Sequence, residues 1–425
     1  LLVVGILLCG CEKDDTGTTG DGVGWNIKCP NNEIVYKTKY GYPIELPVVD
    51  GFGGKLQSNT YDGNCGRIVF DDDVKTIPAN AFRGCTTLTN VVLPDGVTSI
   101  GGGAFGKCSE LVSINVGNSL KSIYASAFFE CDKLQKLYGT HVSSDNRCIV
   151  IDGVLCVAII DGLTKYELPH DVETVGDKAF YNNSTLESLT MSDNVTAIGN
   201  SAFYKCTNLS NVALSDNVKI IGNSAFYGCA KLQNMPFGNN VEQIGESAFY
   251  SCKLLNNIVI PETLTKIGEY AFSGCTGTLR VNCILPDGSN TSGYGLGGKG
   301  IFSGTRFTDI IIGDNVSRIG DYAFCSSSKM VNLTIGKNVK EIGDYAFAGA
   351  DKWEIIYCKP MTPPQLNNRS FDGHDAVLVY DSNKWINAFI FEIPNLKAIY
   401  VPKSAVATYT KEETWKGVKG YDFGY

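Results

Sequence analysis

The sequence predicts a solenoid, in which a curved parallel β-sheet is built from stacked rungs of equal length. The dipeptide Ala-Phe recurs in three runs with a constant 23-residue step inside each run, and Ile301-Phe302 is a variant copy outside that step. Eleven of the 20 Phe occupy this one position, so an internal repeat overrules the three or so domains expected at ~150 residues each. The chain is 44% apolar and 11% aromatic, so it can bury a long core. The repeat phenylalanines are Phe82, Phe105, Phe128, Phe180, Phe203, Phe226, Phe249, Phe272, Phe302, Phe324 and Phe347.

The fullest copy of the repeat covers residues 195–217, VTAIGNSAFYKCTNLSNVALSDN, and the unit reads VxxIGxxAFxxCxxLxxVxLxxN. Its second half matches the leucine-rich repeat pattern LxxLxLxxN. The fold class is therefore a leucine-rich repeat solenoid of the α/β horseshoe type, dominated by β-strands with short helical or 3₁₀ turns. One rung cannot bury its own inner face, so neighbouring rungs must stack in parallel and align Phe on Phe.

Each rung is predicted to contain one strand. Apolar residues alternate in the VxL segment, which places Val212 and Leu214 inward and Asn211, Ala213 and Ser215 outward. Around IGxxAFxxC the apolar spacing is three to four, which indicates a single helical or 3₁₀ turn that buries its Ala, Phe and Cys. The Gly of this segment suits a tight corner.

The repeat also accounts for most of the 16 Cys. Seven lie three residues after a repeat Phe, and parallel side chains on stacked rungs do not converge as a disulfide requires. We therefore predict seven buried thiols rather than a metal site or a disulfide framework. Cys29 and Cys65 could pair in an oxidising compartment, and the sequence leaves this open. The seven predicted thiols are Cys85, Cys108, Cys131, Cys206, Cys229, Cys252 and Cys275.

Two breaks interrupt the repeats, which we place at residues 71–359. The first, residues 141–162, contains CIVIDGVLCV, a predicted hairpin with a type I′ turn at Asp152-Gly153. A two-residue turn would pair Ile149 with Cys156 and Cys148 with Val157, leaving the two Cys on opposite faces. The second break is a Gly-rich loop, residues 287–300, in which Tyr294 is a candidate contact residue; a tolerated insertion is the alternative.

The ends of the chain are predicted to cap the solenoid. Residues 25–70 form an N-terminal β cap, in which Ile68 and Phe70 lie one repeat step before Val91 and Leu93 and so begin a zeroth rung. Residues 360–425 form a degenerate C-terminal repeat and cap, with a last strand near Ile399. The four Trp fall in the caps or the last rung, where they can seal the core.

The amino terminus predicts export. Residues 1–10, LLVVGILLCG, are too short for a membrane helix and read as a truncated secretion signal without its Met and basic residues. The run Leu8-Cys9-Gly10-Cys11 resembles the lipobox of bacterial lipoproteins, which would make Cys11 the lipid anchor. Residues 11–24 follow as a flexible tether, acidic and then rich in Gly and Thr. We expect secretion through the general pathway and an outer-membrane lipoprotein exposed at the cell surface.

Composition and motifs exclude several classes of function. The net charge is −8 and no basic run is present, which excludes a nucleic-acid groove and a polybasic membrane patch. Only three His are present, none at motif spacing to a Cys or Ser, and HExxH, GxSxG, P-loop and CxxC motifs do not occur. We therefore expect no catalytic residues, no metal and no cofactor.

The outward strand positions are the best candidate for a binding face. They are polar, small and nearly uncharged, which suits a long repetitive partner bound through amide and hydroxyl groups. The alternative is that these side chains only keep the sheet soluble. The candidate residues are Ser188, Thr190, Asn211, Ser215, Asn234, Asn257, Asn332, Thr334 and Tyr357.

These motifs resemble the BspA-like, Treponema-type leucine-rich repeat family of bacterial surface lipoproteins over about residues 66–402. The CEKDD start and the ending LKAIYVPKSAVATYTKEETW add to the resemblance. It implies an extracellular solenoid, and the family includes adhesins for host matrix proteins such as fibronectin and fibrinogen. No binding residue is carried over, because no family motif defines one.

We expect a non-enzymatic surface lipoprotein that acts as a binding or adhesion scaffold for extracellular protein of the host matrix or a neighbouring cell. The alternative is a glycan-binding accessory protein of polysaccharide capture, which aromatic platforms on the concave face would favour. We expect a monomer that meets the membrane through its lipid anchor only and binds no nucleic acid.

Overall fold

A computed structural model describes residues 29–124, 126–160, 162–233, 235–283, 301–302, 304–350, 352–366, 379–381, 384–386, 395–412 and 419–421. The chain divides into two compact units, residues 1–163 with 176–180 and residues 164–175 with 181–425. In each unit the repeats form a parallel β-solenoid with a spacing of about 23 residues a turn and little helix, which confirms the predicted fold class.

The first unit contains an N-terminal β cap, three repeat rungs and a hairpin. Its strands are β1 (Glu33–Thr38), β2 (Leu56–Tyr61), β3 (Gly66–Phe70), β4 (Thr76–Ile77), β5 (Leu88–Val92), β6 (Ser99–Ile100), β7 (Ser113–Asn115), β8 (Ser122–Ile123), β9 (Lys136–Tyr138), β10 (Cys148–Ile151) and β11 (Val154–Ala158).

The cap differs from the predicted zeroth rung. Its strands follow the order β2-β3-β1-β5, and β1 is antiparallel to both β3 and β5. Ile68 therefore faces Ile34 of β1, while Val35 faces Val92 of the first rung. Ile68 precedes Val91 by one repeat length in sequence, but it does not belong to a zeroth rung. The strand β1, from earlier in the chain, pairs with the edge of the first rung that a zeroth rung would have used.

Each rung of the first unit contributes to two parallel ladders rather than one. The strands β5, β7 and β9 pair in register, so that Val91, Ile114 and Leu137 follow one another. The two-residue strands β4, β6 and β8 form a second ladder through their isoleucines. This second ladder is formed at Ile77, Ile100 and Ile123, in strands too short to show alternation in the sequence.

The predicted hairpin is confirmed, but its pairing is shifted. Asp152 and Gly153 have φ values of +49° and +75°, as the two central positions of a type I′ turn require. Ile149 pairs with Val157 instead of Cys156, because a bulge interrupts the register between Ile149 and Val150. The extra residue of the bulge is Cys156.

The second unit contains the remaining rungs and the C-terminal elements. Its strands are β12 (Lys165–Glu167), β13 (Thr174–Val175), β14 (Ser188–Thr190), β15 (Ala197–Ile198), β16 (Asn211–Ala213), β17 (Ile220–Ile221), β18 (Gln243–Ile244), β19 (Ile258–Ile260), β20 (Lys266–Ile267), β21 (Thr276–Val281), β22 (Arg306–Ile312), β23 (Arg318–Ile319), β24 (Asn332–Ile335), β25 (Glu341–Ile342), β26 (Ile355–Cys358), β27 (Gln365–Leu366), β28 (Val379–Asp381), β29 (Lys384–Ile386), β30 (Ala398–Pro402) and β31 (Lys419–Tyr421). A 3₁₀ helix, Lys403–Ala405, leads into a helix α1 of four residues, Val406–Tyr409.

The described part of the second unit contains four parallel sheets and one antiparallel pair of strands. The longer strands form the sheets β12-β14-β16 and β19-β21-β22-β24-β26-β30-β31. The two-residue strands form β13-β15-β17-β18-β20 and β23-β25-β27, and β28 pairs with β29 in an antiparallel hairpin. Among the described residues, no helix has the length and apolar character to span a bilayer.

The predicted helical or 3₁₀ turn is a run of i→i−3 turns that does not continue as a helix. The N–H groups of Tyr204, Cys206 and Leu209 each bond to the carbonyl three residues earlier. Ser201 and Lys205 have positive φ values, +54° and +56°, which interrupt any helix. The N–H groups of Ser201, Phe203 and Lys205 instead bond to the next rung, so the turn also joins neighbouring rungs.

The core of the second unit is an aligned column of phenylalanines. The rings of Phe203 and Phe226 stack with centroids 4.9 Å apart, and those of Phe226 and Phe249 with centroids 5.3 Å apart. The predicted corner position requires glycine for a second reason besides its backbone conformation. A Cβ on Gly222 would lie 2.7 Å from the carbonyl carbon of Gly199 in the preceding rung. Glycine thus permits the close approach of successive rungs.

The predicted C-terminal strand is present as β30, but it is not the last strand of its sheet, because β31 pairs with it in parallel. β30 pairs in parallel with β26, placing Ile399 beside Ile356. The buried hydroxyl of Tyr409 donates to the Pro360 carbonyl oxygen at 2.9 Å, which ties α1 to the last rung. Trp353 is fully buried with its ring edge-on to Phe347 at 5.7 Å, and so closes the aromatic column. The side chains of Trp25, Trp385 and Trp415 lie outside the described part of the structure.

Candidate functional site

Three of the predicted contact residues lie together on the sheet β12-β14-β16. Ser188 of β14 is in register with Asn211 of β16, and the Asn211 amide Nδ2 lies 3.4 Å from the Ser188 hydroxyl oxygen. Thr190 is exposed in the next outward position of β14. Side chains two residues apart on a strand share a face, so these groups form one small polar surface.

A second group of predicted residues lies on the sheet that runs from β19 to β31. Thr334 is in register with Tyr357, and Tyr357 with Tyr400, whose ring stacks on it with centroids 5.4 Å apart. Asn332 lies two residues before Thr334 and donates from its amide to a carboxylate oxygen of Asp309 at 2.8 Å. This group is therefore half-buried, and the Asn332 amide already has a partner within the sheet.

Ser215 does not belong to the binding face. It is buried, its hydroxyl donates to the Asp193 carbonyl oxygen at 3.3 Å and accepts from the Asn217 N–H at 3.1 Å. The reason is that β16 ends at Ala213, so the period-2 alternation no longer applies two residues later. Asn257 is exposed but precedes β19, where it adopts a φ of +51°.

Three predicted residues lie outside the part of the chain that the structure describes. These are Asn234, the loop residue Tyr294 and the lipid-anchor residue Cys11. Their roles remain predictions.

The outward strand face carries more charge than expected. Lys165 and Glu167 of β12 are exposed beside Ser188 and Thr190, and Arg280 of β21 is exposed in register with Ile311. These strands belong to rungs at the breaks in the period, where the repeat does not reveal which positions point outward.

The most regular surface feature of the second unit is a column of stacked tyrosines, which the sequence analysis missed. We call Tyr181, Tyr204, Tyr227 and Tyr250 the tyrosine ladder. Successive ring centroids are 4.9, 4.8 and 4.8 Å apart, with ring planes within 4°, 15° and 9° of parallel. Tyr181 is 42% exposed and the other three are half-buried. Because ring faces lie against each other, the ladder presents mainly ring edges and hydroxyl groups.

The backbone holds the ladder in place. Each ladder tyrosine directly follows a core Phe, and the N–H of Phe203 bonds to the carbonyl of Ala225 in the next rung at 2.7 Å. The carbonyl oxygen of the Asn200 side chain accepts from the Asn223 N–H at 2.9 Å, and Asn223 repeats this with Glu246 at 2.8 Å. Neighbouring turns are therefore tied together on both sides of the aromatic column.

The turns that carry the ladder are polar and electrically balanced. Residues 177–182, 200–205, 223–228 and 246–251 are built from Asn, Ser, Ala, Phe, Tyr and Gly, with two Lys, one Asp and one Glu. The Lys205 ammonium lies 5.4 Å from the Tyr204 ring centroid. Burial, followed by the neighbouring Tyr204 and Tyr250, raises the pKa of the Tyr227 hydroxyl.

A simple signal in the sequence could have revealed the ladder. The tripeptide Ala-Phe-Tyr recurs four times at 23-residue steps, and any position with this step must form a column when rungs stack. The repeat Phe points into the core, and the Tyr after it lies in a turn, where apolar alternation does not indicate its orientation.

Metal chemistry has no support among the described side chains, where no three His, Cys, Asp or Glu are grouped as a metal site requires. His170 contributes its backbone carbonyl to the amide of Asn194 at 2.7 Å, as a structural contact between rungs. His374 lies outside the described residues.

Three solved structures illustrate the similarity to other proteins. A leucine rich cell surface protein from Faecalibacterium prausnitzii is 28% identical, with a TM-score of 0.39, over 48% of this chain and 62% of that one. The leucine rich repeat protein of T. pallidum is 21% identical, with a TM-score of 0.35, over 49% and 84%. A leucine-rich repeat protein from Bacteroides ovatus is 21% identical, with a TM-score of 0.42, over 89% and 98%.

Comparison with curated proteins gives no match. The sequence profile described as the BspA type leucine rich repeat region matches in six copies, over residues 57–144, 160–278 and 298–412. These ranges include more than half of the chain and contain the Ala-Phe rungs of both units. The chain therefore belongs to the BspA-type leucine-rich repeat family.

Proposed function

We propose that this protein is a lipid-anchored scaffold at the cell surface that binds extracellular protein of the host matrix or of a neighbouring cell. Leucine-rich repeat proteins generally mediate protein interactions, which supports the broader part of this proposal. The observation that carries it is the tyrosine ladder, in which ring edges and hydroxyls face outward while ring faces are stacked at 4.8–4.9 Å.

The stacking favours protein over glycan as the ligand. Sugar rings bind aromatic side chains through the open ring face, and the interior faces of the ladder are already covered by neighbouring rings. Tyr357 and Tyr400 likewise stack on each other, with centroids 5.4 Å apart. Ring edges and hydroxyls instead suit the amide, carbonyl and apolar groups of a protein surface.

The charge distribution indicates weak single contacts. The chain carries a net charge of −8, yet the four ladder turns carry two Lys, one Asp and one Glu and are neutral together, so electrostatic steering toward this surface is small. A protein displayed in many copies compensates through avidity, which multiplies the effect of weak contacts. Attachment through Cys11 and the tether at residues 11–24 would provide that display.

Two assays test the proposal side by side. The purified chain is measured against immobilised fibronectin and fibrinogen and, in parallel, against a glycan array. We expect concentration-dependent binding to a matrix protein and none to glycans. Binding to glycans alone would contradict the proposal and support the role in polysaccharide capture instead.

A further inference from the structure

Resting on the proposed function, we infer that the tyrosine ladder is the contact surface for an exposed β-sheet of the partner, with partner strands running parallel to the rungs.

The spacing between the ladder rings determines which kind of partner surface can match them. Ladder rings follow each other at 4.8–4.9 Å, and neighbouring strands of a sheet lie about 4.7–4.9 Å apart. Each ring can therefore meet the side chains of one partner strand. A helix repeats its contacts at its pitch of about 5.4 Å and would be out of step by roughly 1.6 Å at the fourth ring. A single extended chain that runs along the ladder advances about 3.3 Å a residue, so its residues fall out of step with the rings sooner still.

The length of the ladder agrees with a sheet partner. Adjacent strands of a free sheet are rotated by roughly 20–25°, so a twisted sheet can follow a straight column of rings over only a few strands. The ladder contains four tyrosines and ends where the repeat supplies Ser273 in place of the next Tyr. A longer column would add rings that a twisted sheet could not reach.

The ladder is organised before binding. Its ring planes are within 15° of parallel. The turns are held by the bond that the Phe203 N–H donates to the next rung and by the bond that the Asn200 side-chain oxygen accepts from it. Little side-chain entropy is lost when such rings bind. Tyr, Ser, Asn and Gly are also the residues that antibodies use for protein surfaces, with Tyr as the rigid element and the others as hydrogen-bonding groups.

The size of the ladder disfavours a second copy of this chain as the occupant. Aromatic side chains bury about 150–250 Å² each when fully covered, and three of these rings are already half-buried. A stable interface requires about 1,200–2,000 Å², which the ladder alone does not supply. A weak contact with a separate protein, repeated over many displayed copies, fits this area.

Matched variants of the full chain test the inference. Tyr204→Ser with Tyr227→Ser removes the two central rings, and Tyr204→Phe with Tyr227→Phe retains the rings without the hydroxyls. Tyr124→Ser removes a tyrosine that is 65% exposed in the first unit and serves as the control. Circular dichroism and thermal melting show that each variant is folded. The probes are an immobilised fibronectin type III module, which is a β-sandwich, and cytochrome b562, which is a four-helix bundle.

We expect the double Ser variant to bind the β-sandwich at least tenfold more weakly than wild type, because central aromatic residues dominate interface energetics. The double Phe variant should lose less affinity for the β-sandwich than the double Ser variant, and Tyr124→Ser should bind with the affinity of wild type. An unchanged affinity of the double Ser variant would overturn the inference while leaving the proposed function intact. An equal loss on both probes would overturn the assignment to sheets.

Two further outcomes also decide the question. If wild type does not bind the β-sandwich, the inference is overturned, and the matrix-protein and glycan assays decide the proposed function separately. If sedimentation shows a wild-type dimer that the double Ser variant dissociates, the occupant is a second copy and the inference is wrong.

Discussion

The sulfhydryl of Cys229 donates a hydrogen bond to the carbonyl oxygen of Phe203, 3.1 Å away in the preceding rung. The same bond to the Phe of the preceding rung recurs at 2.9–3.4 Å from Cys108, Cys131, Cys252 and Cys275. Ser327 replaces the cysteine in one rung and donates to the Phe302 carbonyl oxygen at 2.8 Å. The repeat thus selects a small donor at this position, and cysteine combines that donor with the apolar character of a core residue.

Cys229→Ala should lower the free energy of unfolding by about 1–2 kcal/mol, because it removes the bond and leaves a small cavity. Cys229→Ser should cost less, since Ser327 makes the equivalent bond. Urea denaturation of both variants measures the difference. A serine variant less stable than the alanine variant would show that the donated bond is unimportant.

Stability should fall at alkaline pH. Burial raises the pKa of the Cys206 thiol to about 12 and that of Cys85 to about 11, from an ordinary value near 9. The folded pKa lies above the unfolded one, so the contribution is complete below pH 9 and is lost as the pH rises toward 11–12. Between the unfolded and the folded pKa, each such thiol should lower the free energy of unfolding by about 1.4 kcal/mol for each pH unit above 9.

Urea midpoints at pH 8, 9 and 10 measure this slope. Cys229→Ala provides the control, because burial also raises the pKa of the Cys229 thiol and its removal should make the slope shallower. Equal slopes for wild type and the variant would contradict the assignment to buried thiols.

Phe226→Ala should destabilise the second unit by about 3–5 kcal/mol, because it opens a cavity between Phe203 and Phe249. Tyr227→Ser is the matched control at the next residue, where the side chain is half-buried, and should cost far less. Thermal melting compares the two. Equal melting temperatures would mean that the phenylalanine column does not support the fold.

Two buried serines at equivalent positions should respond differently to alanine. Ser215 makes two hydrogen bonds through its hydroxyl, whereas the Ser192 hydroxyl has no partner among the described atoms. Ser215→Ala should lower the free energy of unfolding by about 1 kcal/mol, and Ser192→Ala should leave it unchanged or raise it slightly. Denaturant midpoints test both variants, and a larger loss at Ser192 would refute the assignment.

Cys11→Ala should abolish lipid attachment without changing the fold of the repeats. Labelling with a radioactive fatty acid in a Gram-negative host should mark the wild-type chain and leave the variant unlabelled. Protease treatment of intact cells then reports exposure, and a protected wild-type chain would argue against surface display.

The repeat made most of the fold predictable. The step between Phe203 and Phe226 set the rung, and the alternation around Val212 set its main strand. The strand at Ile198 escaped prediction because two residues cannot show a period. The antiparallel pairing of Val35 with Val92 also escaped, because a single strand outside the repeat leaves no periodic trace.

The candidate site was less predictable than the fold. Ser188, Thr190 and Asn211 are on one polar surface as expected, because regular rungs copy their orientation from one to the next. The prediction was wrong for Ser215 because the strand β16 ends before this residue. The tyrosine ladder beginning at Tyr181 was overlooked because its residues belong to a turn, where alternation gives no orientation.

The antiparallel strand at Glu33–Thr38 also bears on how such proteins change length during evolution. Among the described rungs it pairs only with the first, and within each unit a rung bonds only to its neighbours. Removing or duplicating one whole repeat in the interior therefore restores the same bonds between the rungs that become adjacent. Duplicating the repeat that contains Tyr204 would therefore add one ring to the tyrosine ladder, while the pairing of the terminal strand with the first rung would stay unchanged.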